Sequence, residues 1–190
     1  MQSEWKKVKL SDVCDVKGGK RLPKGRQLIT IPNNHPYIKI RDITKKTLEL
    51  DKNFEYVDDE TQKLISHYIV NKDDIIISIV GTIGLIAIIG NSLIGANLTE
   101  NCVKLVNVQK DKIDKNYLYY FLKSDFGQTE IKKYTVGAVQ QKLPIKNIQN
   151  LEINIPDLET QKKIAKILSS IDDKIELNQK INENLTGILT

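Results

Sequence analysis

The chain has 190 residues, of which 40% are hydrophobic and 28% are charged, and this composition suits a soluble domain with a real core. Its formal net charge of +5 neither requires nor excludes a nucleic-acid partner. The longest apolar run, residues 75–90, is interrupted by Ser78 and by the turn Gly81–Gly84, which excludes a membrane span. The polar N-terminus lacks the apolar core of a signal peptide, so we expect a cytoplasmic protein.

Residues 1–156 are predicted to form a mixed α/β domain. The elements in its first half are a helical turn at Leu10–Val16, a long Gly/Pro-rich loop at Gly18–Pro36, a strand at Tyr37–Ile40, and a short helix through Leu64 capped by Asp58 or Asp59. Those in its second half are strands at Ile75–Val80 and Leu85–Ile89 joined by a tight turn, a strand at Asn101–Val108, a helix capped by Asp114, a helix at Phe126–Tyr134, and a strand at Leu151–Ile155.

Residues 157–190 are predicted to form one long helix, because no Pro occurs there and the one Gly, Gly187, lies near the end. A heptad seam with alternating spacings of four and three is formed by Ile164, Leu168, Ile171, Ile175, Asn178, Asn182, Leu185 and Leu189. An amphipathic helix lying on its own domain would also show such a stripe. The length of about 50 Å favours a coiled coil with another long helix, in which the two asparagines would set the register.

Positive charge is concentrated early in the chain. Residues 1–45 carry eight Lys and three Arg against four acidic residues, whereas residues 46–60 carry two Lys against six. The three arginines of the chain, Arg21, Arg26 and Arg41, all lie in the basic stretch. Arg contacts guanine edges and phosphates bidentately, whereas Lys acts as a point charge. Charge alone leaves two explanations open, a DNA-binding loop and a solvated loop.

The sequence contains no pattern typical of an enzyme. His35 and His67 have no Cys or carboxylate at ligand spacing, so we expect no metal site. Cys14 and Cys102 are isolated, which is typical of packing thiols in a reducing compartment. No Gly-rich loop ends in Lys-Ser or Lys-Thr, as a phosphate-binding loop would. We therefore predict a chain without catalytic residues or a cofactor of its own.

The segment Leu151–Ile175 resembles the junction between the target recognition domain and the long conserved helix of type I restriction-modification specificity subunits. The positions that match that family's pattern are Ile155, Pro156, Leu158, Gln161, Ile164, Ala165 and Leu168. Upstream segments are also similar to the family, namely Trp5–Leu10, Tyr37–Ile43, the turn Gly81–Gly84, and Gln141 with Leu143. The resemblance covers nearly the whole chain.

This resemblance implies a DNA-binding specificity subunit that recognises half of a bipartite target. It implies residues 1–156 as the target recognition domain and residues 157–190 as a spacer helix that also serves dimerisation. The implied partners are double-stranded DNA, a modification (methyltransferase) subunit and a restriction (endonuclease and translocase) subunit. S-adenosylmethionine, ATP and magnesium would be bound by those partners only. Family members usually carry two recognition domains and two long helices, so this chain is either a half-subunit that forms a homodimer or a fragment.

We predict a DNA interface from the basic loop, the adjoining strand and two turns. The residues of the loop and strand are Lys20, Arg21, Lys24, Arg26, Lys39 and Arg41. Thr82 and the loop Thr135–Lys142 are expected near the same groove. Gln140 and Gln141 can each pair bidentately with adenine, and Lys142 adds a charge beside them. An enzyme would need a cofactor or metal motif, and a coiled-coil scaffold would leave the arginine-rich loop unexplained.

Overall fold

The computed structural model describes residues 5–188, except for the side chains of residues 183 and 185–188. Its strands are β1 (Lys6–Lys9), β2 (Asp15–Gly18), β3 (Pro36–Ile38), β4 (Thr47–Leu48), β5 (Glu55–Tyr56), β6 (Ile75–Ser78), β7 (Ile86–Ile89), β8 (Asn97–Leu98), β9 (Cys102–Val106) and β10 (Glu152–Ile155). Its α-helices are α1 (Asp59–Ile65), α2 (Lys115–Lys123), α3 (Asp125–Tyr134), α4 (Ile145–Gln149) and α5 (Leu158–Ile188). The prediction of a mixed α/β domain followed by a long C-terminal helix is confirmed.

A five-stranded central sheet organises the domain. Its strand order is β2-β9-β6-β7-β4, and its neighbouring strands are antiparallel except for β4 and β7. In the middle strand, Ile75 and Ile77 belong to one hydrophobic core and Ile76 to another. Because successive side chains of a strand point to opposite faces, β6 needs an apolar residue at each of these positions. This requirement explains why the isoleucine run is uninterrupted.

The two cores are covered by different elements. Side chains of α2, α3 and α4 and of the two-stranded ribbon β1-β10 cover the first core. The ribbon pairs the first and last strands of the domain, with Lys6 opposite Ile155. The three-stranded sheet β5-β3-β8 covers the second core. Cys14 lies in the first core and Cys102 in the second, and burial raises the pKa of each thiol to about 12.

The long helix α5 lies on the domain over its first half only. Asp157 accepts a hydrogen bond from the backbone amide of Thr160 (2.9 Å) at the start of the helix, and Ala165 is buried in the first core. From Asp173 onward, every described side chain of α5 is exposed. The first half of the helix therefore lies on its own domain, and pairing of the exposed second half with another long helix stays a prediction. The boundary at Pro156 stays a prediction, since the beginning of α5 packs into the domain core.

Most of the long predicted elements are confirmed. Strands β6 and β7 form the predicted antiparallel hairpin. The Asp58 carboxylate accepts a hydrogen bond from the Thr61 amide (2.7 Å), and that of Asp114 accepts one from the Tyr117 amide (3.0 Å). The predicted strand at Tyr37–Ile40 is wrong at its end, because Ile40 begins a 3₁₀ turn. The predicted helical turn at Leu10–Val16 is wrong at its end, because the 3₁₀ turn stops at Asp12 and β2 begins at Asp15. The short elements β1, β2, β4, β5, β8 and α4 were not predicted.

Residues 5–188 contain no helix with both the length and the apolar composition that a membrane span requires.

A buried glutamine joins the base of α5 to the domain. Gln161 is 1% exposed, and its side-chain oxygen accepts a hydrogen bond from the Asp114 amide (2.9 Å). Its side-chain nitrogen donates to the backbone carbonyls of Lys112 (3.1 Å) and Pro156 (2.9 Å). One side chain therefore satisfies three backbone groups, in the loop before α2 and in the residues that lead into α5.

We expect Gln161→Ala to lower the free energy of unfolding by about 2–4 kcal/mol. Each buried polar group that loses its partner costs about 1–3 kcal/mol, and partial access of water reduces the sum. Urea denaturation followed by circular dichroism measures the change. The matched control is Gln179→Ala on the exposed part of the same helix, which we expect to change stability by less than about 0.5 kcal/mol. Equal effects of the two substitutions would contradict the role of Gln161.

Candidate nucleic-acid interface

The tight turn between β6 and β7 projects from one end of the central sheet. Gly81 and Gly84 adopt positive φ angles of 73° and 86°, which a glycine accepts without strain. Ser78 stabilises the turn, since its hydroxyl donates to the Thr82 carbonyl (2.5 Å) and accepts from the Leu85 amide (2.9 Å). Thr82 itself is exposed at the tip.

The glutamine loop lies beside this turn. Val136 and Lys142 exchange two backbone hydrogen bonds of 2.9 Å each, and they close a small loop that contains Gln140 and Gln141. Lys142 also forms a β-bridge with Val80, one residue before the turn. The loop positions 140–142 are exposed. The structure thus places this loop beside the turn that carries Thr82, and their position near one DNA groove stays a prediction.

The start of the basic loop reaches the same end of the sheet. The amide of Lys20 donates to the Leu98 carbonyl (2.8 Å), and the Tyr37 hydroxyl donates to the Lys20 carbonyl (2.8 Å). Gly19 packs so closely on the backbone of Thr99 that a Cβ atom would lie 2.0 Å from its carbonyl oxygen. Only glycine fits there, and Arg21, two residues further on, is exposed.

The 3₁₀ turn Ile40–Asp42 completes the cluster. The Ile38 carbonyl accepts a hydrogen bond from the Thr99 amide (3.1 Å). The Ile40 side chain packs against Gly81, since a Cβ atom added to this glycine would lie 3.6 Å from it. Arg41 is therefore exposed next to the β6-β7 turn. We call the surface where these four segments meet the loop end. Its predicted site residues are Lys20, Arg21, Arg41, Thr82, Gln140, Gln141 and Lys142.

Three of the predicted site residues are placed differently. Lys39 has a side chain that is only 19% exposed and lies against the Glu55 carboxylate, and burial lowers its pKa. Arg26 bonds to Glu60 (2.7 Å) at the start of α1. Lys24 is exposed on the long loop, between Arg21 and Arg26 in the sequence. Contact of these three side chains with DNA stays a prediction.

Carboxylates hold the arginines of the loop end, and sequence reasoning missed them. The Nε atom of Arg21 donates to Glu100 (2.7 Å), and a terminal nitrogen of Arg41 donates to Glu55 (2.9 Å). Glu55 lies in the acidic stretch 46–60, so the charge pattern contained a signal for it. Glu100 has no such signal, because strand pairing alone brings it to Arg21.

A second exposed feature lies where α5 starts. Its apolar groove of about 400 Å³ is lined mostly by aromatic and aliphatic side chains, including Trp5, Tyr117, Tyr120, Phe121, Phe126, Ile164 and Leu168. Trp5 and Phe126 are 55% and 78% exposed, which is unusual for such large apolar groups. Sequence reasoning did not predict this groove, because its residues come from three distant parts of the chain.

The seam of α5 runs from this groove toward the end of the helix. Ile164 and Leu168 are half-buried in the groove, whereas Ile171 and Ile175 are 49% and 50% exposed. Asn178 and Asn182 are exposed on the projecting part. The predicted seam residue Leu189 and the side chain of Leu185 lie outside the described part of the chain.

The architecture defines a class of protein. Among residues 5–188, no three His, Cys, Asp or Glu side chains are grouped to hold a metal ion. The polar side chains at the loop end are donors and amides on loops around a rigid sheet, and rigidly positioned loops of this kind commonly bind ligands. A domain that carries such loops, followed by a projecting helix, has the architecture of a binding module.

The comparisons with known proteins identify the family. A family model described as "Type I restriction modification DNA specificity domain" matches residues 2–187, and the chain belongs to this family. The prediction of a type I specificity subunit is thereby confirmed. The family and its named members are specificity components of restriction enzymes, which supports the prediction that this chain recognises DNA and is not itself an enzyme.

Two curated relatives come from Methanocaldococcus jannaschii. The type I restriction enzyme MjaVIII specificity subunit is 26% identical over 196 residues, which cover 96% of this chain and 43% of the relative. The MjaIX specificity subunit is 27% identical over 186 residues, which cover 97% of this chain and 42% of the relative. The chain therefore spans less than half the length of these relatives.

Two solved structures share the fold. The S subunit of a type I restriction-modification system from M. genitalium superimposes with a TM-score of 0.63 at 22% identity, over 92% of this chain and 41% of that one. The HsdS subunit from Thermoanaerobacter tengcongensis gives a TM-score of 0.64 at 18% identity, over 93% of this chain and 39% of that one.

Proposed function

We propose that the chain is a non-catalytic specificity component that recognises half of a bipartite DNA target through its loop end. The convergence of four loop segments at one end of the central sheet is the observation that carries this proposal. Family membership supplies the target class, since the family is described by DNA specificity. DNA recognition takes place where the chromosome lies, so we also propose a cytoplasmic location.

The side chains of the loop end suit the major groove. A guanidinium group can bind both acceptors of a guanine edge, and a glutamine amide can pair with adenine. Glu100 bonds to the Nε atom of Arg21, so the two terminal nitrogens of Arg21 stay available for a guanine or a phosphate. Such a carboxylate orients the arginine before DNA arrives, which reduces the side-chain entropy lost on binding.

We expect the double substitution Arg21→Ala and Arg41→Ala to weaken binding to the selected DNA site. Each arginine that recognises guanine contributes about 1–3 kcal/mol, and each phosphate contact contributes about 1 unit to the slope of log K against log salt. Fluorescence anisotropy over a salt series measures both quantities. The control is the pair Lys110→Ala and Lys162→Ala, which removes two charges from a distant cavity beyond the other end of β9. Unchanged affinity together with an unchanged salt slope would contradict the assignment.

We propose further that two copies pair through α5. A two-fold axis would place two loop ends on an inverted repeat with a fixed gap. The spacing of the seam is the same in both directions, so the seams of two antiparallel helices can face each other. The seam residues Ile164 and Leu168 line the apolar groove, and a partner helix packed there would also cover Trp5 and Phe126. The exposed apolar surface of the groove and seam supports this arrangement.

We expect the double substitution Ile171→Asp and Ile175→Asp to dissociate the dimer, because it places unpaired charges inside the contact. Analytical ultracentrifugation at micromolar concentration measures the loss of the dimer. Leu177→Asp is the matched control, because Leu177 is 57% exposed and lies on the opposite face of the helix from the seam. A wild-type chain that sediments as a monomer under these conditions would contradict the homodimer.

The partner subunits and their cofactors belong to the same proposal. We propose that this chain docks a modification subunit and a restriction subunit, which would hold S-adenosylmethionine, ATP and magnesium. Methylation mapping in cells that express the chain with its modification subunit tests the function. We expect a palindromic split site, since two identical domains would recognise it. An asymmetric split site would show instead that a second, different recognition domain takes part.

A further inference from the structure

A polar cluster holds α5 where the helix leaves the domain. We call it the exit junction, and it consists of Lys46, Tyr120, Ser169 and Asp172. The Lys46 ammonium donates to the hydroxyls of Tyr120 (2.9 Å) and Ser169 (2.8 Å). The Tyr120 hydroxyl donates to the Asp172 carboxylate (2.7 Å), and Lys46 also lies 4.8 Å from the centre of the Tyr120 ring. Three separate segments of the chain therefore meet in one hydrogen-bonded group.

The exit junction lies between the loop end and the part of α5 that extends beyond the domain core. Asp172 is the last described residue of α5 that is not exposed, so the exit junction lies where the helix leaves the domain core. On the domain side, Lys46 follows Arg41 of the loop end by only five residues. The junction thus links the surface proposed to bind DNA with the helix proposed to bind the second copy.

Together with Gln161, the exit junction holds the helix at two polar points. The intervening contacts include the small side chain of Ala165 and the half-buried Leu168. Apolar contacts of this kind tolerate a range of crossing angles, since helix packing angles scatter by about 15–20°. Hydrogen bonds are directional and weaken steeply when they are bent. The hydrogen bonds of the exit junction therefore restrict the angle between α5 and the domain, which Gln161 alone would leave variable.

The charges of the cluster are compatible with this role. Lys46 is half-buried, and desolvation lowers its pKa, while the carboxylates of Asp172 and Asp173 oppose that shift. Burial raises the pKa of Tyr120, so its hydroxyl stays protonated as a donor to Asp172. A partly desolvated ammonium group is stable only while its partners remain in place. A change of the helix angle would separate these partners.

A small change of angle has a large effect at the helix end. From Gln161 to Ile188 the helix is about 40 Å long, at about 1.5 Å per residue. A tilt of about 5° moves the far end by about 3.5 Å, which is close to the rise of about 3.4 Å per base pair along DNA. A tilt of this size is therefore comparable to one base pair of spacing.

We propose that Lys46 and Tyr120 are positioning residues that fix the angle between the recognition domain and α5, and thereby the gap between the two half-sites. The inference rests on the proposed function, because only a dimer that recognises a split site has a gap to define. Helix length would set the coarse spacing, and the exit junction would set how strictly that spacing is enforced.

The test uses the full 190-residue chain and a set of duplexes that carry the selected half-site as an inverted repeat, with the gap lengthened one base pair at a time. A duplex with one half-site is included as a reference. We expect the wild-type chain to prefer one gap. In Tyr120→Phe and Lys46→Met, we expect the preference for that gap over its neighbours to fall several-fold, with unchanged affinity for the single half-site.

The matched control is Tyr134→Phe, which makes the same chemical change on the neighbouring helix α3, and we expect it to keep the wild-type gap preference. Unchanged single half-site affinity shows that the variants are folded and that the loop end is intact. A gap preference as narrow in both junction variants as in the wild type would overturn the inference and leave the proposed function standing. A wild-type chain without any gap preference would overturn both.

Discussion

The burial of the central sheet on both faces is the constraint on which the rest of this structure depends. With one core on each side of β6, the connections between strands must leave the sheet at its ends, where backbone groups can still reach water or loop partners. One of these ends collects the β6-β7 turn, the glutamine loop and the two basic segments. The polar surface of the domain is thus a consequence of how its apolar interior is arranged.

The ion pairs at the loop end orient side chains and contribute little to stability. An exposed pair contributes about 0–1 kcal/mol, so a guanidinium group can exchange its carboxylate for a nucleic-acid phosphate at little cost. The pairing of Arg21 with Glu100 and of Arg41 with Glu55 also places negative charge at the same surface. Such carboxylates disfavour indiscriminate binding to phosphates, and specificity depends on this balance of attraction and repulsion.

The polar and the apolar side chains of α5 have different roles. Polar groups connect it to its own domain, first at Gln161 and then at the exit junction. Apolar side chains remain on the outside, in the groove near Trp5 and along the seam. A helix that is held by directional bonds and exposes an apolar stripe suits a rigid arm that joins two recognition domains.

The sequence by itself determined the elements whose signals are local. The heptad spacing predicted α5, the Gly81–Gly84 turn predicted the β6-β7 hairpin, and Asp114 predicted the start of α2, because periodicity and capping involve residues only a few positions apart. Only the tertiary structure decided which distant segments meet. The two-residue strands β4, β5 and β8 exist only through their pairing partners, and no local pattern marks them. The same holds for Glu100 beside Arg21 and for Lys46 beside Tyr120, since side chains that are tens of positions apart meet only after the chain has folded.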